Sequence, residues 1–331
     1  MAPAQDTGLI DTFGRRITYV RLSVTDRCDL RCRYCMAEEM RFLPRRDVLS
    51  FEEIEALADI FIARGVRRIR LTGGEPLVRR DVGQLVARLG ARIGNGLDEL
   101  TMTTNGTQLA RFAGDLHAAG IRRVNVSLDS LDADRFRYIT RRGDLAQVLA
   151  GIAAAAAAGL AVKINMVALK GLNDDEIEAM LRWCIARGHD LTLIETMPMG
   201  EVEEDRTSHY LPLYAVKQRL AGRFDLVPSL LRTGGPARYY EVSGIRLGMI
   251  TPLTGNFCTA CNRIRVAATG TVYGCLGHDQ KVELRELLRS GGADAVNLAL
   301  DSLMVGKPKG HDFLIGASRP AVARHMSVTG G

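Results

Sequence analysis

At 331 residues and 47% hydrophobic content the chain can bury a large core, and one barrel-sized domain plus an extension fits it better than three small domains. Its formal net charge of +6 is spread along the chain without a basic tail or interleaved aromatics, which argues against nucleic acid and suits a small polyanionic substrate. Met1 to Gly8 is polar and no stretch approaches the ~20 apolar residues of a membrane span, so a soluble cytoplasmic protein with no membrane partner is expected.

The first expected element is an apolar strand over Thr18 to Val24, followed directly by a loop with three cysteines, Cys28, Cys32 and Cys35. Ser50 and Glu53 make a capping box for a helix over Phe51 to Arg64. A strand over Val66 to Leu71 then runs into the turn Thr72-Gly73-Gly74-Glu75-Pro76, where the glycines let backbone approach a ligand closely. Further strands are expected at Leu97 to Thr103, Arg122 to Leu128, Ala161 to Ala168 and Leu191 to Met197. Asn173 with Glu176 reads as a second capping box, opening a helix over Ile177 to Arg187. Gly65, Gly120, Gly159 and Gly188 each close a helical pattern just before a strand, as left-handed C-terminal caps do.

Alternating strands and helices predict an α/β fold with a parallel sheet. Six such strands are too few for a closed eight-stranded barrel, so the expectation is an open, partial TIM-like (βα)6 barrel over residues 14–220. Residues 221–331, with a tyrosine-rich strand at Arg238 to Val242, would form a C-terminal extension. Alternate strand positions are polar where a closed barrel would carry branched apolar side chains: Arg21 with Ser23, Arg68 with Arg70, Asn125 with Ser127, and Lys163 with Asn165. Turned inward, these faces make a wet cationic lumen able to bind a polyphosphate through charge-assisted hydrogen bonds.

The cysteines give the sharpest chemistry. Cysteines at ligand spacing in a cytoplasmic chain indicate metal sites rather than disulfides. Three thiolates leave one iron of a 4Fe-4S cubane open, whereas such clusters normally take four cysteine ligands. A second set, Cys258, Cys261 and Cys275, lies far downstream; with His278 it also reads as a complete zinc set, which the spacing by itself favours. Cys184, in an apolar helical run, is read as a buried core residue.

The first loop, with Tyr34 in the aromatic slot before the last cysteine and Gly73-Gly74-Glu75-Pro76 downstream, resembles that of the radical S-adenosylmethionine enzymes. Asn262-Arg263-Ile264-Arg265 after Cys261, and Gly274-Cys275-Leu276, narrow the resemblance to the GTP 3',8-cyclase family of molybdenum cofactor biosynthesis, over nearly the whole chain. That resemblance implies two 4Fe-4S clusters, on Cys28, Cys32 and Cys35 and on Cys258, Cys261 and Cys275, with His278 a bystander. It implies S-adenosylmethionine contacts from Tyr34, Gly74, Ser127 and Met197, and GTP contacts from Arg21, Arg70, Thr103, Lys163, Arg263, Ile264 and Arg265. The implied reaction cleaves S-adenosylmethionine to methionine and a 5'-deoxyadenosyl radical, which takes the 3' hydrogen of the ribose; the carbon radical then attacks C8 of guanine. No side chain is assigned as catalytic acid or base, because the cofactor performs the hard step.

The implied partners are a reductant such as flavodoxin or ferredoxin and a downstream cyclic pyranopterin monophosphate synthase, with a homodimer left open. Two positions depart from the family pattern: Thr192 stands where many members carry arginine, and Thr329 precedes the terminal Gly330-Gly331 where isoleucine is frequent. That glycine tail is expected to reach the active site. Two rival readings are a peptide-modifying radical enzyme with an auxiliary cluster and a zinc-stabilised nucleic-acid-binding module. Neither accounts for all the motifs: the first lacks further C-terminal cysteines, and the second leaves the first loop idle.

Overall fold

The computed structural model of the chain describes residues 8–202, 207–231, 235–255, 257–314 and 320–329; the Gly330-Gly331 tail lies outside them. Strands β1 (Tyr19–Ser23), β2 (Arg68–Thr72), β3 (Glu99–Thr104), β4 (Arg123–Ser127), β5 (Ala161–Ala168) and β6 (Asp190–Glu195) pair in parallel in chain order. Helices α1 (Phe51–Ala63), α2 (Val82–Gly90), α3 (Leu109–Ala118), α4 (Ala133–Thr140), α5 (Leu145–Ala157) and α6 (Ile177–Arg187) form the crossovers, and α7 (Leu213–Ala221) follows β6. β5 and α6 span the residues expected from the sequence, and the other expected strands are displaced by one or two residues at their ends.

The C-terminal part does more than pack against this half barrel. β7 (Val227–Pro228), β8 (Ala237–Val242) and β9 (Ile245–Ile250) extend the sheet beyond β6, with β9 parallel to β6. β10 (Arg263–Val266), β11 (Thr271–Tyr273) and β12 (Lys281–Glu283) extend it beyond β1, with β10 parallel to β1. The result is one unclosed sheet of twelve strands ordered β12-β11-β10-β1-β2-β3-β4-β5-β6-β9-β8-β7. The connection between β9 and β10 therefore runs from one side of the parallel strands to the other and carries Cys258 and Cys261 with it. Helix α8 (Leu284–Gly306), interrupted by non-helical backbone at Gly292, packs on α1, and the short α9 (Met326–Thr329) lies against β1.

Strand alternation separates two environments. Val20, Leu22, Ile69, Leu71, Val124, Val126, Ile164 and Leu193 are fully buried in the apolar layer beneath the helices. The residues between them face the lumen and are mostly polar, as the sequence pattern indicates.

Ser50 and Glu53 form the expected reciprocal cap of α1, and Gly65, Gly120, Gly159 and Gly188 all have positive φ. The Asn173–Glu176 capping box does not form. Glu176 is the N-cap of α6 without a side-chain cap bond, and its carboxylate instead accepts from Ser130 Oγ at 2.6 Å. Asn173 is fully buried, donates to the carbonyls of Asp129 and Val167 at 2.8 and 2.9 Å, and accepts from Leu169 N at 2.8 Å. Three backbone groups stranded at the ends of β4 and β5 need partners, and that demand outweighs a helix cap. Among the described residues, no helix is long and apolar enough to cross a membrane.

Candidate active site

The lumen holds two abutting cavities that share Asn165, Ile194 and Met197 in their walls. The first is lined by Cys28, Cys32, Cys35, Tyr34, Gly73 and Gly74. Ser127 and Met197 also face it, as does Thr103, expected from the sequence to touch substrate. The glycines are required by close approach: a Cβ on Gly74 would stand 2.4 Å from Arg27 O, and one on Gly73 would stand 2.5 Å from Thr25 O. Backbone of the Gly-Gly turn thus packs directly on backbone of the cysteine loop.

Carboxylates surround this first set. Asp29 accepts from Asn105 Nδ2 and Thr107 Oγ1, both at 2.6 Å, and Asn105 Nδ2 also lies 3.8 Å from Cys28 Sγ. Glu75 is fully buried, accepts from Thr104 Oγ1 at 2.7 Å and Asn105 N at 2.6 Å, and is pushed up to about 7 by burial. Tyr34 donates to Asp129 Oδ2 at 2.7 Å while Asp129 Oδ1 accepts from Val167 N at 2.8 Å. Burial raises Asp129 to about 6. Burial and then Glu75 push the Cys28 thiol up to about 12, and burial and then Asp129 raise Cys32. Three soft sulfur donors on one loop, facing a cavity, suit an iron-sulfur cluster.

The second cavity receives the other cysteine set, Cys258, Cys261 and Cys275, together with the cations of the strands. Arg21 pairs in register with Arg70 on one side and Arg265 on the other, and Tyr19 likewise pairs with Arg263. The Tyr19 ring lies between two guanidiniums, with Arg70 at 5.6 Å and Arg263 at 5.5 Å from its centroid. Burial, then Arg265 and Arg70, depress Arg21 well below the usual arginine value, and burial, then Arg263, lower Arg265 to about 10. Guanidiniums that are desolvated and repel one another form a site completed by a polyanion. Arg70 Nε and Asn125 Oδ1 are buried without hydrogen-bond partners among the described residues, as groups awaiting a ligand would be. Ile264, by strand alternation, points the other way and packs in the apolar core, leaving only its backbone toward the lumen side.

Several lining residues were not singled out as site residues by the sequence. Arg123 enters the cavity but is paired with Glu99 at 2.5 and 2.8 Å. Tyr239 joins through Lys163, which donates to its hydroxyl at 2.8 Å. Asp129 and Asn105 end strands in turns whose sequences are ordinary, and only their position beside the first cysteine set distinguishes them. Glu195, fully buried, accepts from Leu213 N, Leu253 N and Thr254 Oγ1, fixing the chain that leads to the second cysteine set. Met326 and Ser327 of α9 line the first cavity, so the residues preceding the glycine tail do enter the lumen. His278 bonds through Nε2 to Gly310 O at 2.9 Å and does not line the second cavity. Cys184 is fully buried in α6.

Thr192 lines the second cavity, buried, with no hydrogen-bond partner for its hydroxyl among the described residues. A Cβ on Gly248 would come within 2.8 Å of Thr192 Oγ1 and 3.0 Å of Tyr239 Cε1, so these three positions share one tight corner. Arg68 lines the same cavity.

Comparison with known proteins agrees with this geometry. Residues 22–184 match the Radical SAM superfamily model and residues 189–313 match the Molybdenum Cofactor Synthesis C model. The chain is 60% identical over 329 residues to the GTP 3',8-cyclase of Rhizobium meliloti (strain 1021), covering 98% of this chain and 94% of that protein. It is 60% identical over 327 residues to the enzyme of the same name from Erythrobacter litoralis (strain HTCC2594), covering 98% of each. Streptococcus suis SuiB bound to S-adenosylmethionine shares the fold, with a TM-score of 0.57 at 16% identity over 94% of this chain and 77% of its own. So does anSMEcpe with bound AdoMet, with a TM-score of 0.55 at 14% identity over 85% and 80%. An unclosed barrel with a three-cysteine loop at one cavity, a second set at the next and near-full-length identity to these enzymes lead to one conclusion: the chain belongs to the GTP 3',8-cyclase family of radical S-adenosylmethionine enzymes.

Proposed function

We propose that the chain converts GTP to (8S)-3',8-cyclo-7,8-dihydroguanosine 5'-triphosphate, the first step of molybdenum cofactor biosynthesis. The observation that carries this reading is the pair of abutting cavities, one with Cys28, Cys32 and Cys35 and the other with Cys258, Cys261, Cys275 and the strand cations. Cys28, Cys32 and Cys35 would hold one 4Fe-4S cluster and Cys258, Cys261 and Cys275 the other. With S-adenosylmethionine bound, a cluster on Cys28, Cys32 and Cys35 would supply the one-electron reduction on which the radical chemistry depends.

The protein's own work is orientation and exclusion of water. Tyr34, Gly74, Ser127 and Met197 line the S-adenosylmethionine side, where the Gly-Gly turn offers backbone at close range. Arg21, Arg70, Lys163, Arg263 and Arg265 meet the triphosphate; Thr103 lines the first cavity instead, and Ile264 contributes no more than its backbone. Met197 and Asn165, common to both cavities, stand where the ribose must meet the adenosyl group. No strong acid or base is needed, since C3' loses a hydrogen atom rather than a proton; the electron and proton that complete the product come from the reductant and from solvent or a weak donor.

Residues 14–220 serve as the radical-generating part and 221–331 carry the second cluster, although a single sheet runs through both. A flavodoxin or ferredoxin supplies electrons, a cyclic pyranopterin monophosphate synthase takes the product, and the cytoplasm is the compartment in which these meet. Anaerobic incubation with GTP, S-adenosylmethionine and a reductant tests the reading. Expected are methionine, 5'-deoxyadenosine carrying deuterium from 3'-deuterated GTP, and a product with the mass of GTP but a different retention. S-adenosylmethionine cleavage without deuterium transfer from GTP would overturn it.

A further inference from the structure

The two cysteine sets stand in opposite electrostatic surroundings. Around the first are the carboxylates of Asp29, Glu75 and Asp129, while Arg31 bonds Cys28 O at 2.6 Å and Arg141 bonds the backbone of the same loop at Arg31 O and Met36 O. Around the second are cations from several parts of the chain. Arg15 of the N-terminal segment donates to Cys258 O at 2.8 Å, and Arg324 before α9 donates to Cys275 O at 3.2 Å. Arg263 and Arg265 of β10 face it across the cavity. The nearby carboxylates Asp11 and Asp279 are already engaged by Arg15 at 2.6 Å and Arg324 at 2.5 Å, and Asp312 faces His278 at 3.8 Å.

Lys307, just past the end of α8, reaches a sulfur of the set directly. Its side chain is only 2% exposed. Its ammonium donates to Gly274 O, in the strand connection that presents Cys275, and lies 3.8 Å from Cys261 Sγ. No carboxylate pairs with it among the described residues, so the sulfur is its counter-charge. A buried ammonium is costly unless an anion offsets it. The same contact works in reverse: a cluster held by thiolates gains a negative charge when it accepts an electron, and a buried cation favours that state with little screening.

We propose that Lys307 is a positioning and tuning residue of the second cysteine set: it ties Cys261 to the loop of Cys275, and its charge makes the second cluster more readily reduced than the first. This rests on Cys258, Cys261 and Cys275 being the ligands of that cluster. The redox step adds one electron from dithionite to the cluster, and no bond forms or breaks.

The test uses a Cys28→Ala, Cys32→Ala, Cys35→Ala protein, reconstituted anaerobically and expected to hold about four irons per chain. Absence of iron would overturn the ligand assignment on a readout independent of Lys307. In this background the midpoint potential is followed by electron paramagnetic resonance during stepwise addition of dithionite. Lys307→Met and Lys307→Gln should shift it to more negative values, and Lys307→Arg should hold it near the parent. A parent-like potential in the Met or Gln protein with iron retained overturns the proposal. If Met and Gln lose iron while Arg keeps it, the charged tie is supported; loss of iron in Arg as well means that packing rather than charge is at work, and overturns it. The reciprocal Cys258→Ala, Cys261→Ala, Cys275→Ala protein should show a first cluster of lower potential, and an equal or higher value overturns the ordering.

Discussion

Lys163 donates a hydrogen bond to the Tyr239 hydroxyl at 2.8 Å while its ammonium sits 4.5 Å from the centroid of the same ring. The pair joins β5 of the half barrel to β8 of the C-terminal part across the second cavity. Burial lowers Lys163 from the usual lysine value, and Tyr239 opposes that shift. A lysine so held has a fixed position from which to meet a phosphate.

Lys163→Ala and Arg70→Ala should therefore weaken binding of GTP more than of guanosine. A hydrogen bond to a charged group is worth ~1.5 to 3 kcal/mol. Calorimetric titration of both ligands measures it, and equal losses would show that the two cations act on the base or on folding.

The two cysteine sets should separate chemically. Wild-type protein reconstituted without oxygen should carry about eight iron and eight sulfide per chain. Alanine at Cys28, Cys32 or Cys35 should abolish S-adenosylmethionine cleavage, whereas alanine at Cys258, Cys261 or Cys275 should leave some cleavage and no cyclised product. Complete loss of cleavage from both groups would refute the division, as would four irons with one tightly held zinc.

Thr192→Arg should weaken GTP binding. Thr192 lies beside Gly248 and the tyrosine that holds Lys163, and Arg68 already lines the same cavity, so an added guanidinium would meet like charge there. GTP titrations at two salt concentrations decide it. Tighter binding at low salt, fading as screening rises, would mean the extra guanidinium finds an empty phosphate position.

Asp129 should make the metal-free protein less stable as pH rises from about 4 to about 6. Its folded value lies near 6 against an ordinary 3.8 because burial disfavours the carboxylate, so the folded state binds the proton more tightly than the unfolded chain. That contribution is fully present below the unfolded value and is lost through the folded one, a span of roughly 3 kcal/mol. Thermal melts of Asp129→Asn should lack this part of the slope. Parallel melting curves for wild type and variant across pH 4 to 6.5 would refute it.

The sequence by itself indicated β1 to β6 and β8, several helix ends and the cysteine loops, because each rests on local rules. Alternation of polar and apolar residues along β1, β2, β4 and β5 decides which face is core, and glycines at positive φ decide where α1, α3, α5 and α6 stop. Alternation also made Arg21, Arg70 and Lys163 candidates for one lumen face, whereas Arg263 and Arg265 join them in the cavity because β10 pairs with β1. Tertiary structure decided what depends on neighbours distant in the chain. Asn173 left its cap because three buried backbone groups from β4 and β5 needed an amide. The C-terminal strands joined both edges of the sheet rather than packing beside it, because open parallel edges present unpaired backbone groups. Lys307 looks like any lysine at a helix end; only the fold, by burying it against Cys261 and Gly274, gives its charge a place in the site.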